Sequence, residues 1–381
     1  MTPSHAPLIM FSAGETSGDQ HASAMFYELK KQCPTIRGIG MGSTNMAKAG
    51  ISISYDSAGI AVIGVIEVLK HYKQIKSALK QMQTLLKTQR PDLLVCVDYK
   101  EFNFKLARYA KSIGIKVLFY VSPQVWAWRE GRVKSYGKVI DKMAVIFPFE
   151  TAYYEKENVP VRYVGHPCVD KVKPLYSKTE NLSRFQLNSH NPIIGLLAGS
   201  RAGEIKRLLP VMLKSAEKLQ HDYPQCQFIL PQADSISDEL LRSILNTSPL
   251  NIKCIKHQPY DVIQCCDAVM TCSGTASLEI ALLTVPMLIC YKLSPITYYL
   301  GRLLIKTPFI GLPNIVAGKK IINEFIQAEA NADNLATEIA RLLSDKTYAN
   351  TMRVELERVK QLLGEGGGSK NMADLVLEML Q

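Results

Sequence analysis

The chain has no uninterrupted apolar run of the about 18 to 20 residues that a bilayer-crossing helix needs, and it does not open on a basic stretch followed by an apolar core. Both absences imply a cytoplasmic protein. The nine cysteines (Cys33, Cys96, Cys168, Cys226, Cys254, Cys265, Cys266, Cys272, Cys290) form no Cys-x-x-Cys pair, and no histidine spacing suits zinc. They read as reduced core residues. There is no Lys-Ser/Thr pair after a glycine-rich loop, which excludes a Walker A site. Basic residues do not interleave with stacking aromatics, and no nucleic-acid-binding module signature is present, so no nucleic-acid partner is expected.

What is present is an average globular composition, 47% hydrophobic and 21% charged, over 381 residues. That length suits two domains of ordinary size. The net charge of +11 calls for an anionic partner, either a phosphorylated small molecule or a negative membrane leaflet.

The first half alternates short apolar strands with amphipathic helices, the pattern of a parallel sheet covered on both faces. Strands are expected at Leu8–Ser12, Leu93–Val97, Val117–Val121, Met143–Ile146 and Val161–Val164. The second half begins the rhythm again at Ile193–Leu197 and carries it through Met287–Tyr291. The polar stretch Lys171–Asn191, with Pro174, reads as a linker. The fold class is therefore α/β, two doubly wound Rossmann-like domains facing across a cleft, the GT-B architecture. The expected limits are residues 1–172, 190–345, and a helical C-terminal segment 346–381. In such sheets ligands sit beyond the C-terminal ends of the strands, so the residues just after each strand carry the functional reading.

Five of these loops stand out. Ala13–Asp19, with Gly14, Glu15 and Ser17, is small and polar and opens a helix whose N–H groups can meet an anion, although Ser17 or Asp19 also reads as a helix cap. Asp98 ends the second strand and is placed to act as general base; capping of the following helix is the alternative. Gln124, Trp126, Trp128 and Arg129 follow the third strand and suit a sugar face or acyl chain beside a phosphate, unless the tryptophans are core. In the second half Gly199, Ser200 and Arg201 form one diphosphate seat, with capping again the alternative. Ser273, Gly274 and Thr275 form another, and Glu279, four residues after Thr275, lies one turn deeper on the same helix face. There it can accept hydrogen bonds from ribose hydroxyls. No Asp-x-Asp triplet exists to hold a divalent metal, so arginine and helix dipoles are left to stabilise a departing diphosphate, and no cofactor is expected.

From Ile66 to Thr88 apolar residues recur at Leu69, Tyr72, Ile75, Leu79, Met82 and Leu86, fringed by Lys70, Lys73, Lys76, Lys80 and Lys87. This stripe fits an anionic membrane surface, and equally an ordinary helix packed on its sheet. Tyr298–Lys306 has the same character.

Taken in order, the segments AGETSGD (13–19), IGVIEVL (63–69), VSPQVWAWR (121–129), PFE (148–150), VGHP (164–167), GSR (199–201), SGTASLE (273–279) and LPN (312–314), with Ala317 and Gly318, resemble the lipid-A-disaccharide synthase family along nearly the whole chain. The resemblance implies an inverting glycosyltransferase that joins UDP-2,3-diacylglucosamine to the 6-hydroxyl of 2,3-diacylglucosamine 1-phosphate. It also implies peripheral attachment to the inner face of the inner membrane and a homodimer with exchanged C-terminal segments. By that likeness Asp98, with Glu15 and Ser17, belongs to catalysis. Gly199, Ser200, Arg201, Ser273, Gly274, Thr275, Glu279 and Asn314 hold UDP, and Asn103, Gln124, Trp126, Trp128, Arg129, Leu69, Tyr72 and Lys73 face acceptor and lipid. The chain departs from the family pattern at Lys100 and Glu101 in the Asp98–Asn103 frame, at Ala198, and at Asn323. Its rivals are another GT-B enzyme acting on UDP-N-acetylglucosamine, of the peptidoglycan transferase or 2-epimerase type, and a non-catalytic basic scaffold at the membrane or on RNA.

Overall fold

In a computed structural model, which describes residues 6–59, 71–128, 130–293, 298 and 307–381, the chain divides into two α/β units. Unit 1 comprises Met1–Pro167 and Glu365–Gln381, and unit 2 comprises Cys168–Gly364.

Unit 1 is built on seven parallel strands: β1 (Leu8–Ala13), β2 (Arg37–Gly42), β3 (Ser52–Asp56), β4 (Leu93–Val97), β5 (Lys116–Tyr120), β6 (Lys142–Val145) and β7 (Val161–Tyr163), in the order β3-β2-β1-β4-β5-β6-β7. Every residue of β1 and β4 is buried, which is why those strands are, Ser12 apart, apolar instead of alternating. Their side chains still alternate between faces. Met10, Leu94, Cys96 and Phe119 pack beneath the helices Tyr72–Gln89 and Lys100–Ser112, while Ile9, Phe11, Val95 and Tyr120 pack on the opposite face. That second face is covered by the helix Thr16–Gln32 and by the C-terminal helix Gly368–Leu380, which contributes Met372, Leu375 and Val376. Lys142 and Arg162 pair with Glu378, and Gln32 donates to Asp374, so charged groups pin the same helix at its rim.

Unit 2 carries six parallel strands: β8 (Ile193–Leu197), β9 (Gln227–Gln232), β10 (Ile252–Lys256), β11 (Ala268–Cys272), β12 (Met287–Tyr291) and β13 (Glu324–Ile326), in the order β10-β9-β8-β11-β12-β13. In each sheet the strand order reverses beside the first strand, between β1 and β4 in unit 1 and between β8 and β11 in unit 2. These reversals open the crevices in which doubly wound sheets bind ligands.

The observed elements differ from the sequence reading in places that have physical causes. Strand β2 reads RGIGMG, too glycine-rich to signal a strand, yet a Cβ on Gly40 (φ +144°) would lie 2.0 Å from the Phe11 carbonyl oxygen, so the close approach of β1 requires glycine there. The expected linker is structured: within Lys171–Asn191 the helix Lys178–Arg184 docks on unit 2, where Asp261 accepts from Leu175 N, Tyr176 N and Asn181 Nδ2. The C-terminal segment also divides later than residue 346. The helix Lys346–Leu362 belongs to unit 2, and only Glu365–Gln381 belongs to unit 1. Seven cysteines are buried and free, whereas Cys33 is half-buried and Cys254 exposed.

Buried Asp19 joins two local elements. Its carboxylate accepts from Ser43 N (2.6 Å), Asn45 N (2.9 Å), Asn45 Nδ2 (2.8 Å) and Met46 N (3.3 Å), capping the short helix Thr44–Lys48 from the first turn of another helix. Replacing it leaves buried amide donors without acceptors. Asp19→Ala should therefore destabilise unit 1 by about 2–4 kcal/mol, read as a lower urea midpoint with an unchanged slope.

Candidate functional site

The C-terminal edge of unit 1 is assembled from the turns after β1 and β4, which meet at the reversal of strand order. Gly14 lies against the Tyr99 ring so closely that a Cβ would stand 2.2 Å from Tyr99 Cδ1. Asn103, fully buried, ties the two strand tips together. Its Oδ1 accepts from Ser12 Oγ (2.6 Å), and its Nδ2 donates to Ser12 O (3.1 Å), Val97 O (3.3 Å) and Asp98 O (2.8 Å). All of these bonds of the Asn103 amide are made within the chain.

Asp98 and Tyr99 both adopt left-handed backbone (φ +47° and +45°), as does the β-branched Val121 (φ +67°) after β5. Three such non-glycine residues at adjacent strand ends are a local concentration of strain of the kind that marks functional loops. The N-cap position of the following helix is Tyr99, and no side chain caps it, so Asp98 is not its N-cap residue. Burial pushes the Asp98 carboxyl above the ordinary carboxylate range, opposed by the Lys100 charge and the Tyr99 backbone N–H. Glu15 occupies the N-cap position of the helix Thr16–Gln32, and its charge acts on Tyr99. Neither capping role read for the first loop holds: Ser17 is exposed in the first helical turn, and Asp19 serves the neighbouring helix.

Of the two readings of Trp126, its burial fits the core one. It is buried, its Nε1 donates to Glu150 Oε1 (3.2 Å), and its ring stands edge-on to Phe149. Gln124 in the same segment is exposed. Leu69 and Arg129 lie outside the described residues, as do the side chain of Trp128 and most of Tyr298–Lys306. Along the lysine-fringed helix, Met82 and Leu86 are buried and Ile75 and Leu79 pack on the core. The apolar stripe is thus mainly a sheet-facing surface, leaving Tyr72 (56% exposed) and Lys73 in solvent at its start.

Sequence reasoning gave no role to His21 and His166. His166 follows β7, is buried beside the Phe147 ring, and is lowered to about 3 by burial and by His21, so it stays neutral. His21 lies 5.9 Å from the Tyr120 ring.

In unit 2 the turns after β8 and β11 are neighbours in the sheet, and each contains a glycine that needs its conformational freedom. Gly199 (φ +118°) faces Glu204, whose Oε2 would lie 2.5 Å from an added Cβ, and Gly274 (φ +145°) opens onto empty space. Both following helices, Ala202–Asp222 and Thr275–Leu282, begin without a side-chain cap, so their first N–H groups keep the positive end of the helix dipole available. Arg201 pairs with Glu204 at 3.0 Å while remaining 63% exposed, and Ser200 is held through its carbonyl by Ser235 Oγ (2.5 Å). Thr275 is exposed.

Glu279 is half-buried, and its Oε1 accepts from the Tyr260 hydroxyl at 3.1 Å. Burial raises its carboxyl above the usual range, with Tyr260 and Lys171 pulling it back. Tyr260 had no sequence signal, because its contact with Glu279 is made only by the packing of the helix Pro259–Cys265. Two residues expected at the nucleotide make hydrogen bonds within the chain. Ser273 Oγ donates to Ile310 O (2.7 Å), so its hydroxyl proton is spent within the chain. Asn314 is fully buried, donating to Ile322 O and Glu324 Oε1 and accepting from Ile321 N and Ile322 N. Glu324 in turn accepts from Ile310 N and Gly311 N, so the Asn314–Glu324 pair fixes the loop that receives Ser273.

The chain matches the family model described as Lipid-A-disaccharide synthetase over residues 9–378. A lipid-A-disaccharide synthase of Geobacter sulfurreducens is 47% identical over 380 residues, covering 100% of this chain and 99% of its own. One from Nitrosococcus oceani is 43% identical over 376 residues, covering 99% and 97%. Among solved structures, UDP-GlcNAc 2-epimerase from Neisseria meningitidis bound to UDP-GlcNAc superposes with a TM-score of 0.65 at 15% identity, covering 98% of this chain and 100% of that one. The glycotransferase of kitacinnamycin superposes with a TM-score of 0.64 at 13% identity, covering 100% of both. Those last likenesses concern the fold, which is that of GT-B glycosyltransferases and UDP-GlcNAc 2-epimerases. With the full-length match of sequence, the chain belongs to the lipid-A-disaccharide synthase family.

Proposed function

We propose that the protein transfers a diacylglucosamine unit from UDP-2,3-diacylglucosamine to the 6-hydroxyl of 2,3-diacylglucosamine 1-phosphate, with inversion, giving the tetraacyl disaccharide 1-phosphate and UDP. The observation that carries this reading is full-length kinship with lipid-A-disaccharide synthases, and the two strand-reversal sites supply chemistry that suits it. Unit 1 is assigned to the acceptor and unit 2 to the UDP-sugar.

Asp98 takes the acceptor hydroxyl proton as the oxygen attacks C1 of the donor, because an alcohol is too weak an acid to ionise first. The C1–O6 bond forms as the C1–O(phosphate) bond breaks, and the electron pair leaves with UDP. A carboxyl raised by burial is the stronger base once ionised. The leaving diphosphate gains charge, which Arg201 and the uncapped helix starts at Ala202 and Thr275 neutralise. The carboxylate of Glu279, one turn inside the second seat, receives the ribose hydroxyls. Glu15 and Ser17 border the base, and Gln124 faces the acceptor.

Acylated substrates reside in a membrane, and a chain of net charge +11 is drawn to its anionic surface. Tyr72 and Lys73 offer an exposed aromatic and a cation there, supporting peripheral attachment to the inner face of the inner membrane. Among the described residues no helix is long and apolar enough to cross a bilayer. The assembly proposed is a homodimer exchanging C-terminal segments, supported by the return of Glu365–Gln381 to unit 1 after unit 2 is complete, a connection that a second copy can satisfy with the same contacts.

Three outcomes are expected. Asp98→Asn should lower kcat by about 10²- to 10⁴-fold while its melting temperature holds. In the wild type the acid limb of kcat/KM should lie above the ordinary carboxylate range, since the base works only after losing its proton; wild-type turnover by the folded variant would remove Asp98 from the mechanism. Glu279→Gln should weaken UDP binding about tenfold by calorimetry, with kcat changing far less, because the ribose is remote from the bond being broken. The protein should float with anionic liposomes at low salt and be released by high salt, and absence of lipid association at low salt would contradict the membrane assignment.

A further inference from the structure

Two side chains of the segment after β5 are held by the turn and short helix that follow β6. Ser122 Oγ lies 2.8 Å from the Tyr154 hydroxyl. Four residues on, Trp126 Nε1 donates to Glu150 Oε1 (3.2 Å), while Glu150 Oε2 accepts from Phe147 N (3.1 Å), so each carboxylate oxygen has its own donor. Glu150, Ser122 and Trp126 are all buried, yet Gln124 between the two anchors is exposed at the C-terminal edge of the sheet. A buried carboxylate is costly unless its hydrogen bonds are needed, and here they are made to an indole that a phenylalanine or leucine would have packed without a polar partner.

We propose that Glu150 is a positioning residue for the acceptor: by gripping the Trp126 indole and the Phe147 amide together it fixes the Val121–Trp128 segment so that Gln124 is presented to the acceptor sugar. The inference rests on the assignment of unit 1 to the acceptor. Burial pushes the Glu150 carboxyl up to about 7, against the pull of its Phe147, Trp126, Ile146 and Ser122 donors. The titratable groups around it are Tyr154, whose hydroxyl reaches it through Ser122 and is pushed up by burial, and His166, neutral against the Phe147 ring. Its ionised form alone offers two full acceptors, so the grip tightens as pH rises through neutrality.

Two variants test this in the full-length protein. Glu150→Gln keeps one acceptor oxygen and cannot titrate, while Trp126→Phe keeps most of the ring and removes its N–H. Each should raise acceptor KM about tenfold, the scale of one hydrogen bond to a charged group, with donor KM near wild type; Trp126→Phe, which strips a buried carboxylate oxygen of its donor, should also lower the melting temperature. Wild-type acceptor KM should fall as pH rises through about 7, and that dependence should vanish in Glu150→Gln. Should Glu150→Gln fail to fold, Trp126→Phe decides by the same acceptor KM. Wild-type acceptor KM in both folded variants, or a loss seen only as a lower melting temperature and lower kcat, would overturn the proposal. A rise in donor KM instead of acceptor KM would overturn the assignment of unit 1 while leaving Glu150 as a positioning residue.

Discussion

A single buried amide holds the C-terminal edge of the unit 1 sheet in shape. Asn103 reaches from the first turn of its helix to the tips of β1 and β4, and its hydrogen bonds to Ser12, Val97 and the carbonyl of Asp98 close the gap that the reversal of strand order opens between them. Asp98 and Tyr99 sit in left-handed conformations worth about 1–3 kcal/mol each in strain, and such a kink persists only where its surroundings over-determine it. The Asn103 tie and the contact of Gly14 with the Tyr99 ring supply that determination. The backbone at Asp98, the residue proposed as base, is thereby fixed by its surroundings.

Unit 2 solves the corresponding problem with a second buried asparagine. Asn314 and Glu324 satisfy the backbone of Ile310, Gly311, Ile321 and Ile322, and Ser273 docks onto the Ile310 carbonyl. The turn after β11 is therefore backed by a satisfied polar network, which is rigid because each of these groups has a partner. Both asparagines make their side-chain hydrogen bonds within the chain. Of the departures of the chain, Lys100 lowers the Asp98 carboxyl, Glu101 pairs with Arg132 on the helix surface, and neither disturbs the Asn103 tie.

Much of the fold was legible where a local signal sufficed. LLVCV and IIGLL are apolar runs of strand length, and burial of both sheet faces leaves no other way to use them. Strand β2 escaped because its glycines, needed for the approach of β1, erase the β-propensity signal, and β3 escaped because SISYD has one half-buried face and few large apolar groups. The lysine-fringed helix was ambiguous for a similar reason: one stripe at helical spacing serves a sheet or a bilayer equally, and only the packing of Met82 and Leu86 onto unit 1 distinguishes them.

The sequence by itself determined the family, the two parallel sheets and the post-strand loops that carry Asp98, Arg201 and Glu279, because these depend on residue type and short-range spacing. Tertiary structure alone decided which of those side chains remain available. Trp126, Asn103 and Asn314 look like ligand groups in one dimension and become internal partners in three, since their hydrogen bonds run to Glu150, Ser12 and Glu324 across 24, 91 and 10 residues. Tyr260 and Glu150 gain meaning only from the groups packed beside them. A buried polar atom must find a partner, and which partner it finds is settled by how the elements pack.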